Sequence, residues 1–513
     1  MKLNKNIYKS LALVGALTLA SCGEDYLDTK PADNISSEDV GEVLKKDPSQ
    51  VSSLLTGAYQ NLYYGGQWAT STDNYGMVSL IIATDLMTED LLLWTNAQWY
   101  SYDYQMDNWG PNYRRTASAW RELYQVVTNC NEIIELIKPA EGEEPNEATK
   151  GMLGEAYALR GYAYYWLINM WQQPYSVNPD APGVPIKTES EYKMNRVPVK
   201  EVYDLIITDL EKGYQYTQGY KPATKGSINE YTAAGLLARA LMFTGDYANA
   251  AKYAEIATKG GALNASELTD GMNSLDMSEA LWGVVINAET TAYYASLMSF
   301  RWTYGPGYAG EVGYRQVIGK ELLSHIADND VRKAWFGYND ELNNEYGLGL
   351  DFSLEEQYGY LDCLQNKFID VYAFGGGPFE SDLIYLRTAE FYYVAAEAYY
   401  LNNQPEEARR MLNTIQANRV PGYNCTLSGQ ELYDEICWQK RVETWGEGVR
   451  FFDIKRRNET VDRSKSLNPD QWPDLEYMNA LKWDGHDKRM IYQIPDVEMQ
   501  NNNEITKADQ NPS

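Results

Sequence analysis

The sequence predicts a mostly α-helical scaffold of tetratricopeptide-like helix hairpins, carrying long irregular aromatic-rich loops and only minor short strands. Two observations predict it. Apolar residues recur at helical spacing in several segments, and two later segments repeat one pattern of small and apolar positions. In the first these are Ala238, Leu241, Ala250, Ala254 and Ala257; in the second they are Ala396, Tyr399, Ala408, Leu412 and Ile415. Both sets step by 3, 12, 16 and 19 residues from their first member, and each is broken in the middle, by Gly245-Asp246 and by Asn403-Gln404-Pro405. This is the helix–turn–helix spacing of a tetratricopeptide repeat. Small residues let the helices of a hairpin approach closely. Such hairpins cannot bury a core alone, so they are expected to stack on the other helices of the chain.

The elements follow in order. Lys2, Lys5 and Lys9 form a positive start with no acid among them, and residues 11–20 form an apolar run. A membrane-spanning helix needs about 20 apolar residues, so residues 1–21 read as a signal peptide. The run ends Leu19-Ala20-Ser21-Cys22, which resembles the lipobox of bacterial lipoproteins and implies that the Cys22 thiol is acylated after cleavage before it. Two acyl chains make a stable anchor where one is marginal. Glu24 and Asp25 follow directly, similar to the surface-export signal of Bacteroidetes lipoproteins. Residues 22–36 read as a polar, lipid-anchored tether, and 37–513 as a single domain. Within it, residues 47–62 read as a helix and 64–113 as a long irregular segment. Residues 117–137 are helical, with Trp120, Leu123, Tyr124, Val127, Ile134 and Ile137 on helical spacing. An acidic loop at 139–147 leads to a helix at 155–171, a proline-rich connection, and a helix at 199–214. The block 260–380 between the repeats is less regular, with a strand at 281–286. The tail from 420 mixes a helix at 432–445 with loops.

Composition excludes several functions. Net charge is -28, and about -31 once the three leading lysines are removed. Such a surface repels phosphate backbones, so no nucleic acid is expected as a partner. Beyond Cys22 there are four cysteines, none in a Cys-x-x-Cys pair, and two histidines, His325 and His486; zinc-type sites need these clustered, so no metal is expected. Cys425 and Cys437 are near enough in sequence to pair, which sequence alone leaves open. Gly305-Pro306-Gly307-Tyr308-Ala309-Gly310 spells a dinucleotide fingerprint, but Pro306 and the missing strand-to-helix context make it a loop, and no cofactor is expected. Ser324-His325 reads as helix surface rather than a nucleophile and base. There are 43 Tyr and 14 Trp against 10 Phe. Rings with a polar handle suit sites where one side is wet.

Several stretches, in order across nearly the whole chain, resemble the SusD/RagB family of outer-membrane nutrient-binding lipoproteins. Besides the lipobox and Tyr26-Leu27-Asp28, they are Glu155-Ala156-Tyr157-Ala158-Leu159-Arg160-Gly161-Tyr162 with Trp171 and Pro174; Pro198-Val199-Lys200-Glu201-Val202-Tyr203; Leu386-Arg387-Thr388-Ala389-Glu390 with Ala395-Ala396-Glu397-Ala398; Gln439-Lys440-Arg441-Val442-Glu443; and Glu447-Gly448-Val449-Arg450-Phe451-Phe452-Asp453-Ile454-Lys455-Arg456. Ile494-Pro495-Asp496-Val497-Glu498 and Gln510-Asn511-Pro512 resemble its closing signature, without the glycine-tyrosine that often follows. The resemblance implies a binding protein rather than an enzyme, seated over a SusC-like TonB-dependent transporter and capturing oligosaccharides for import. Parts of the family take oligopeptides instead. The charged residues of these motifs are expected to form structural ion pairs within the scaffold.

A pyranose has apolar C–H faces and a polar rim, so its recognition uses flat rings with amide and carboxylate groups. Residues 94–109 offer Trp94, Asn96, Gln98, Trp99, Tyr100, Tyr102, Asp103, Tyr104, Asp107, Asn108 and Trp109; residues 300–314 offer Arg301, Trp302, Tyr304, Tyr308 and Tyr314. Singled out for stacking are Trp94, Trp99, Tyr100, Tyr104, Trp109, Trp302 and Tyr304; for hydrogen bonding, Asn96, Asp103, Asn108 and Arg301. The expectation is a stacking platform built from two loops. A solvent-facing indole in either loop favours sugar, and its absence favours peptide. For the anchor, Cys22→Ala is expected to move the protein from the membrane to the soluble fraction on cell fractionation; retention in the membrane would contradict the lipid reading.

Overall fold

The computed structural model describes residues 50–64, 69–93, 98–345, 348–370, 372–373, 377–467 and 481–512. Cys22, the tether, Trp94 and Asn96 lie outside the described residues. The fold is mostly α, and Val51–Ser513 forms one compact unit. Its principal helices are α1 (Val51–Tyr64), α2 (Gly76–Leu86), α3 (Ser101–Tyr104), α4 (Arg114–Ile137), α5 (Lys150–Trp171), α6 (Val199–Thr217), α7 (Glu230–Thr244), α8 (Tyr247–Ala257), α9 (Leu297–Arg301), α10 (Thr388–Leu401), α11 (Pro405–Arg419), α12 (Gly429–Glu443) and α13 (Arg450–Arg457). Short strands are β1 (Leu91–Leu93), β2 (Ile186–Lys187), β3 (Tyr192–Lys193), β4 (Ala280–Val284), β5 (Gln316–Ile318), β6 (Leu383–Arg387), β7 (Thr460–Asp462) and β8 (Lys482–Asp484). They pair antiparallel as β1–β5, β2–β3, β4–β6 and β7–β8.

Each helix from α4 to α8 packs on the next, α8 packs on α10, and α10 packs on α11. The two predicted hairpins are α7–α8 and α10–α11. Their small and apolar positions are buried, apart from Tyr399. Tyr399 is half-buried, and its hydroxyl donates to Glu255 at 2.7 Å, tying one hairpin to the other. Both breaks are left-handed: Gly245 has φ 80° and Asn403 φ 58°. This conformation ends a helix most cheaply at glycine or asparagine. The predicted helices at 117–137, 155–171 and 199–214 are present, each longer by up to five residues at one end.

The segment 64–113 departs from expectation. It holds α2, whose eleven residues are all buried. A helix apolar on every face shows no stripe, so periodicity cannot reveal it. Helix α13 was also missed; its Arg450, Asp453 and Lys455 are buried, which disguises it as surface. The four described cysteines are free, so Cys425 and Cys437 do not pair. Ser324 and His325 do not meet either: Ser324 Oγ donates to Glu321 O (2.6 Å), His325 Nδ1 lies 2.8 Å from the same oxygen, and its ring stacks on Trp438.

The irregular block is held to the helices by buried charge. Glu443, at the end of α12, meets Arg332 (3.3 Å), Arg387 (2.9 Å) and Arg419 (3.0 Å). Arg387 and Arg419 share Glu279 (3.2 and 2.7 Å), Arg332 pairs with Asp330 (2.7 Å), and Lys367 and Arg387 share Glu447 (2.5 and 2.6 Å). A second group joins Arg441 and Arg450 to Glu89 and Asp90, immediately before β1. A third joins Glu397 to Arg456 and Arg457, and Asp453 to Lys440 and Arg456. Removing one partner of a buried pair costs about 3–5 kcal/mol, because the other charge is stranded.

These charges give folding a pH dependence. Burial pushes the carboxyls of Asp85, Asp103 and Glu122 up to about 7, 6 and 8, although arginines beside them pull the other way. Their folded forms therefore hold protons that the unfolded chain lacks, and stability from them grows as pH falls from 6. Against burial, Arg456 and Arg457 hold Glu397 at about 2, and arginine and lysine neighbours hold Glu443 and Asp453 well below the carboxylate range. Stability from these three is lost progressively as pH falls from the unfolded carboxylate range toward their lower folded values. Lys455 and Lys367, lowered by burial to about 7 and 8, are charged in both states below pH 6 and drop out. Urea-unfolding midpoints are expected to peak at about pH 5 and fall on either side; a steady rise from pH 3 through 6 would contradict this.

Candidate functional site

The two loops singled out by sequence converge. Their roots are joined by the β1–β5 ladder, with Leu91 opposite Ile318, Leu92 opposite Val317 and Leu93 opposite Gln316. Above it, the turn into α3 faces α9 and the loop that follows. Between them runs a groove of about 430 Å³, lined by Gln98, Trp99, Tyr100, Tyr102, Tyr308 and Tyr314 among others. A void of about 20 Å³ beside Glu390, Asp453 and Arg456 holds no more than a water.

One wall presents Trp99, 53 % exposed, and Tyr102, 38 % exposed. Their rings lie 6.3 Å apart and 21° from parallel. The Arg114 guanidinium sits 5.1 Å from the Trp99 ring centre and pairs with Asp73 at 2.5 Å. The other wall is a staircase of near-parallel rings: Phe300 and Tyr308 at 4.8 Å and 14°, then Tyr308 and Tyr314 at 5.9 Å and 5°. Tyr100 meets Phe300 edge-on at 4.8 Å and closes the floor.

The glycine-rich loop that mimics a nucleotide motif builds this second wall. A Cβ at Gly305 would lie 1.9 Å from the Trp302 ring. Only glycine lets the backbone lie on that indole. The loop therefore buries Trp302 (1 % exposed) and leaves Tyr308 and Tyr314 half-buried at the groove.

Most of the other singled-out residues lie elsewhere. Arg301 is fully buried; it bonds Asp85 at 2.6 Å, Gln316, and Gly446 O at 3.4 Å. Asp103 accepts from Asn108 (3.1 Å) and Arg115 (2.9 Å), all three buried. Tyr104 is buried beneath Arg463, whose guanidinium lies 3.9 Å from its ring centre. Buried Tyr304 accepts from Asn339 N at 2.9 Å. Trp109 is half-buried and donates to Met106 O at 3.1 Å, away from the groove. These side chains hold the loops in shape, because a buried polar group must find its partner within the protein. Trp99 lies in the groove, and Tyr100 contributes its floor.

Two family models match, one described as "Starch-binding associating with outer membrane" over residues 25–241 and the other as "SusD family" over 293–513. The chain belongs to the SusD family. A SusD-like protein from Formosa agariphila is 24% identical over 531 residues, covering 91% of this chain and 94% of its own. Among solved structures, a SusD-like carbohydrate binding protein from Bacteroides vulgatus shares the fold with a TM-score of 0.73 and 23% identity, over 90% of this chain and 97% of that one. Surface glycan-binding protein A from Bacteroides thetaiotaomicron, solved in complex with laminarihexaose, has a TM-score of 0.63 and 17% identity, over 90% of this chain and 99% of its own. No described helix of this SusD-like chain is long and apolar enough to cross a membrane.

Of the rings singled out for stacking, Trp99 and Tyr100 line the groove; Tyr102, Phe300, Tyr308 and Tyr314 line it as well. Tyr308 and Tyr314 stand among Gly307, Gly310 and Gly313, a context that marks rings on a turn, whereas Trp302 and Tyr304 precede it and face inward. Phe300 gave no signal. A split in stability follows. Arg301→Ala strands Asp85 and is expected to cost about 3–5 kcal/mol in urea unfolding, while Trp99→Ala stays within about 0.5 kcal/mol. Equal losses would place Trp99 in the core.

Proposed function

We propose that this chain is a surface glycan-binding lipoprotein that captures oligosaccharides and passes them to a SusC-like TonB-dependent transporter. In this reading residues 1–21 are removed, Cys22 carries the lipid, 22–36 form the tether, and 37–513 act as one binding domain facing the cell exterior. The observation that carries the reading is the groove itself. Four aromatic side chains, Trp99 and Tyr102 on one wall and Tyr308 and Tyr314 on the other, line it. The solvent-facing Trp99 indole supports a sugar over a peptide.

One stacked sugar face removes roughly 50 Å² of apolar surface, worth about 1.2 kcal/mol. Three such stacks with a few wet hydrogen bonds give about 4–6 kcal/mol, and a Kd on the order of 0.1–1 mM. A single ring of sugar meets too few faces, so the ligand is an extended oligosaccharide. The relative that was solved with laminarihexaose, and the family description as starch-binding, support the class of ligand. Chemistry on the glycan is left to other proteins.

Native electrophoresis in gels containing single polysaccharides tests the proposal. At least one polysaccharide is expected to retard the protein, Trp99→Ala with Tyr308→Ala is expected to abolish the shift, and no new reducing ends should form. Retention by no polysaccharide, with binding to oligopeptides instead, would overturn it.

A further inference from the structure

The groove differs from the rest of the surface in its charge. The chain carries 72 acidic and 44 basic residues, yet no charged residue lines the groove among the described residues. Arg114, beside Trp99, is already neutralised by Asp73. A uronate or sulfated glycan entering here would leave its charges desolvated without a counter-ion, inside the field of a strongly negative molecule. An uncharged glycan meets neither penalty.

The groove also holds one polar side chain with nothing to bond. Gln98 lines it, and both the Oε1 and the Nε2 of its amide are withdrawn from solvent without a hydrogen-bond partner. Its backbone is fixed, because Gln98 O accepts from Ser101 N (3.1 Å) and Ser101 Oγ (2.5 Å). The neighbouring Ser101 hydroxyl is thereby committed, and the Tyr100 hydroxyl donates to Thr72 O at 3.3 Å. A shielded amide with no partner is unfavourable, and a native fold rarely keeps one without a use. A primary carboxamide offers two N–H donors and a carbonyl acceptor side by side. Two adjacent hydroxyls of a pyranose, one donating and one accepting, satisfy both ends once the side chain turns into the groove.

We infer that the groove takes an uncharged oligosaccharide and that Gln98 is the residue that hydrogen-bonds adjacent sugar hydroxyls while the rings hold the sugar faces. The inference rests on the glycan-binding reading above and adds the ligand's charge class and its polar contact.

Calorimetry on the full chain decides it, with neutral hexasaccharides of glucose, mannose and xylose beside hexagalacturonate and an alginate hexamer. Binding is expected among the neutral sugars alone. On the best of them, Gln98→Ala and Gln98→Leu should each weaken Kd by about tenfold, and the near-isosteric Gln98→Leu should leave the unfolding midpoint unchanged, because no hydrogen bond within the protein is lost. Trp99→Ala should weaken it at least as much. Tightest binding to a uronate would overturn the inference and leave the glycan-binding reading standing. So would Gln98 variants that bind like the parent a sugar that Trp99→Ala weakens. Binding to no glycan at all would overturn both.

Discussion

The irregular block between the two hairpins is tied to the helices through Glu443. Its buried carboxylate receives three arginines, and the surrounding cluster closes on itself: four cations, Arg332, Lys367, Arg387 and Arg419, balance four anions, Glu279, Asp330, Glu443 and Glu447. Taking ions out of water is costly, and the cost is offset only when every lone pair and proton finds a partner. Here the remaining donors do. Lys367 Nζ also donates to Glu443 O and Trp445 O, each at 2.8 Å. The eight residues come from the irregular block between the two hairpins, from β6, from α11 and α12, and from the turn after α12. Most members share their partners with others, which makes the cluster a network rather than a set of independent bonds.

The groove inherits its shape from that network. Directly after Glu443, the turn through Gly446 and Gly448 reaches α2 and α9. Gly448 N donates to both oxygens of Asp85 at 3.0 Å, Asp85 holds Arg301, and Arg301 reaches back to Gly446 O. Trp445 Nε1 donates to Asp90 O at 2.8 Å, just before β1. Both roots of the groove are therefore tied to one turn.

What the sequence made legible follows from which signals are local. The hairpin repeats could be read because Ala238, Ala254, Ala396 and Ala408 occupy fixed offsets and every one is buried. The loops could be read because tryptophan, tyrosine and glycine crowd there. Helix α2 could not, since it lacks a polar face. Neither could the roles of Arg301 and Asp103, polar residues in an aromatic loop that look like ligand contacts until their partners Asp85 and Arg115 are known. Those partners lie 216 and 12 residues away in sequence. The inward turn of Trp302 against the outward turn of Tyr308 depends on a backbone resting on an indole, which periodicity does not encode.

The ladder between β1 and β5 joins the two walls through main-chain hydrogen bonds, which carry no information about side-chain identity. It fixes where the walls stand without dictating what they display. Trp99, Tyr308 and Tyr314 stand on irregular backbone and Tyr102 on the short helix α3, all outside the ladder. Such a division lets the tips change while the base stays put. One base can then carry a different set of rings while its strands pair as before.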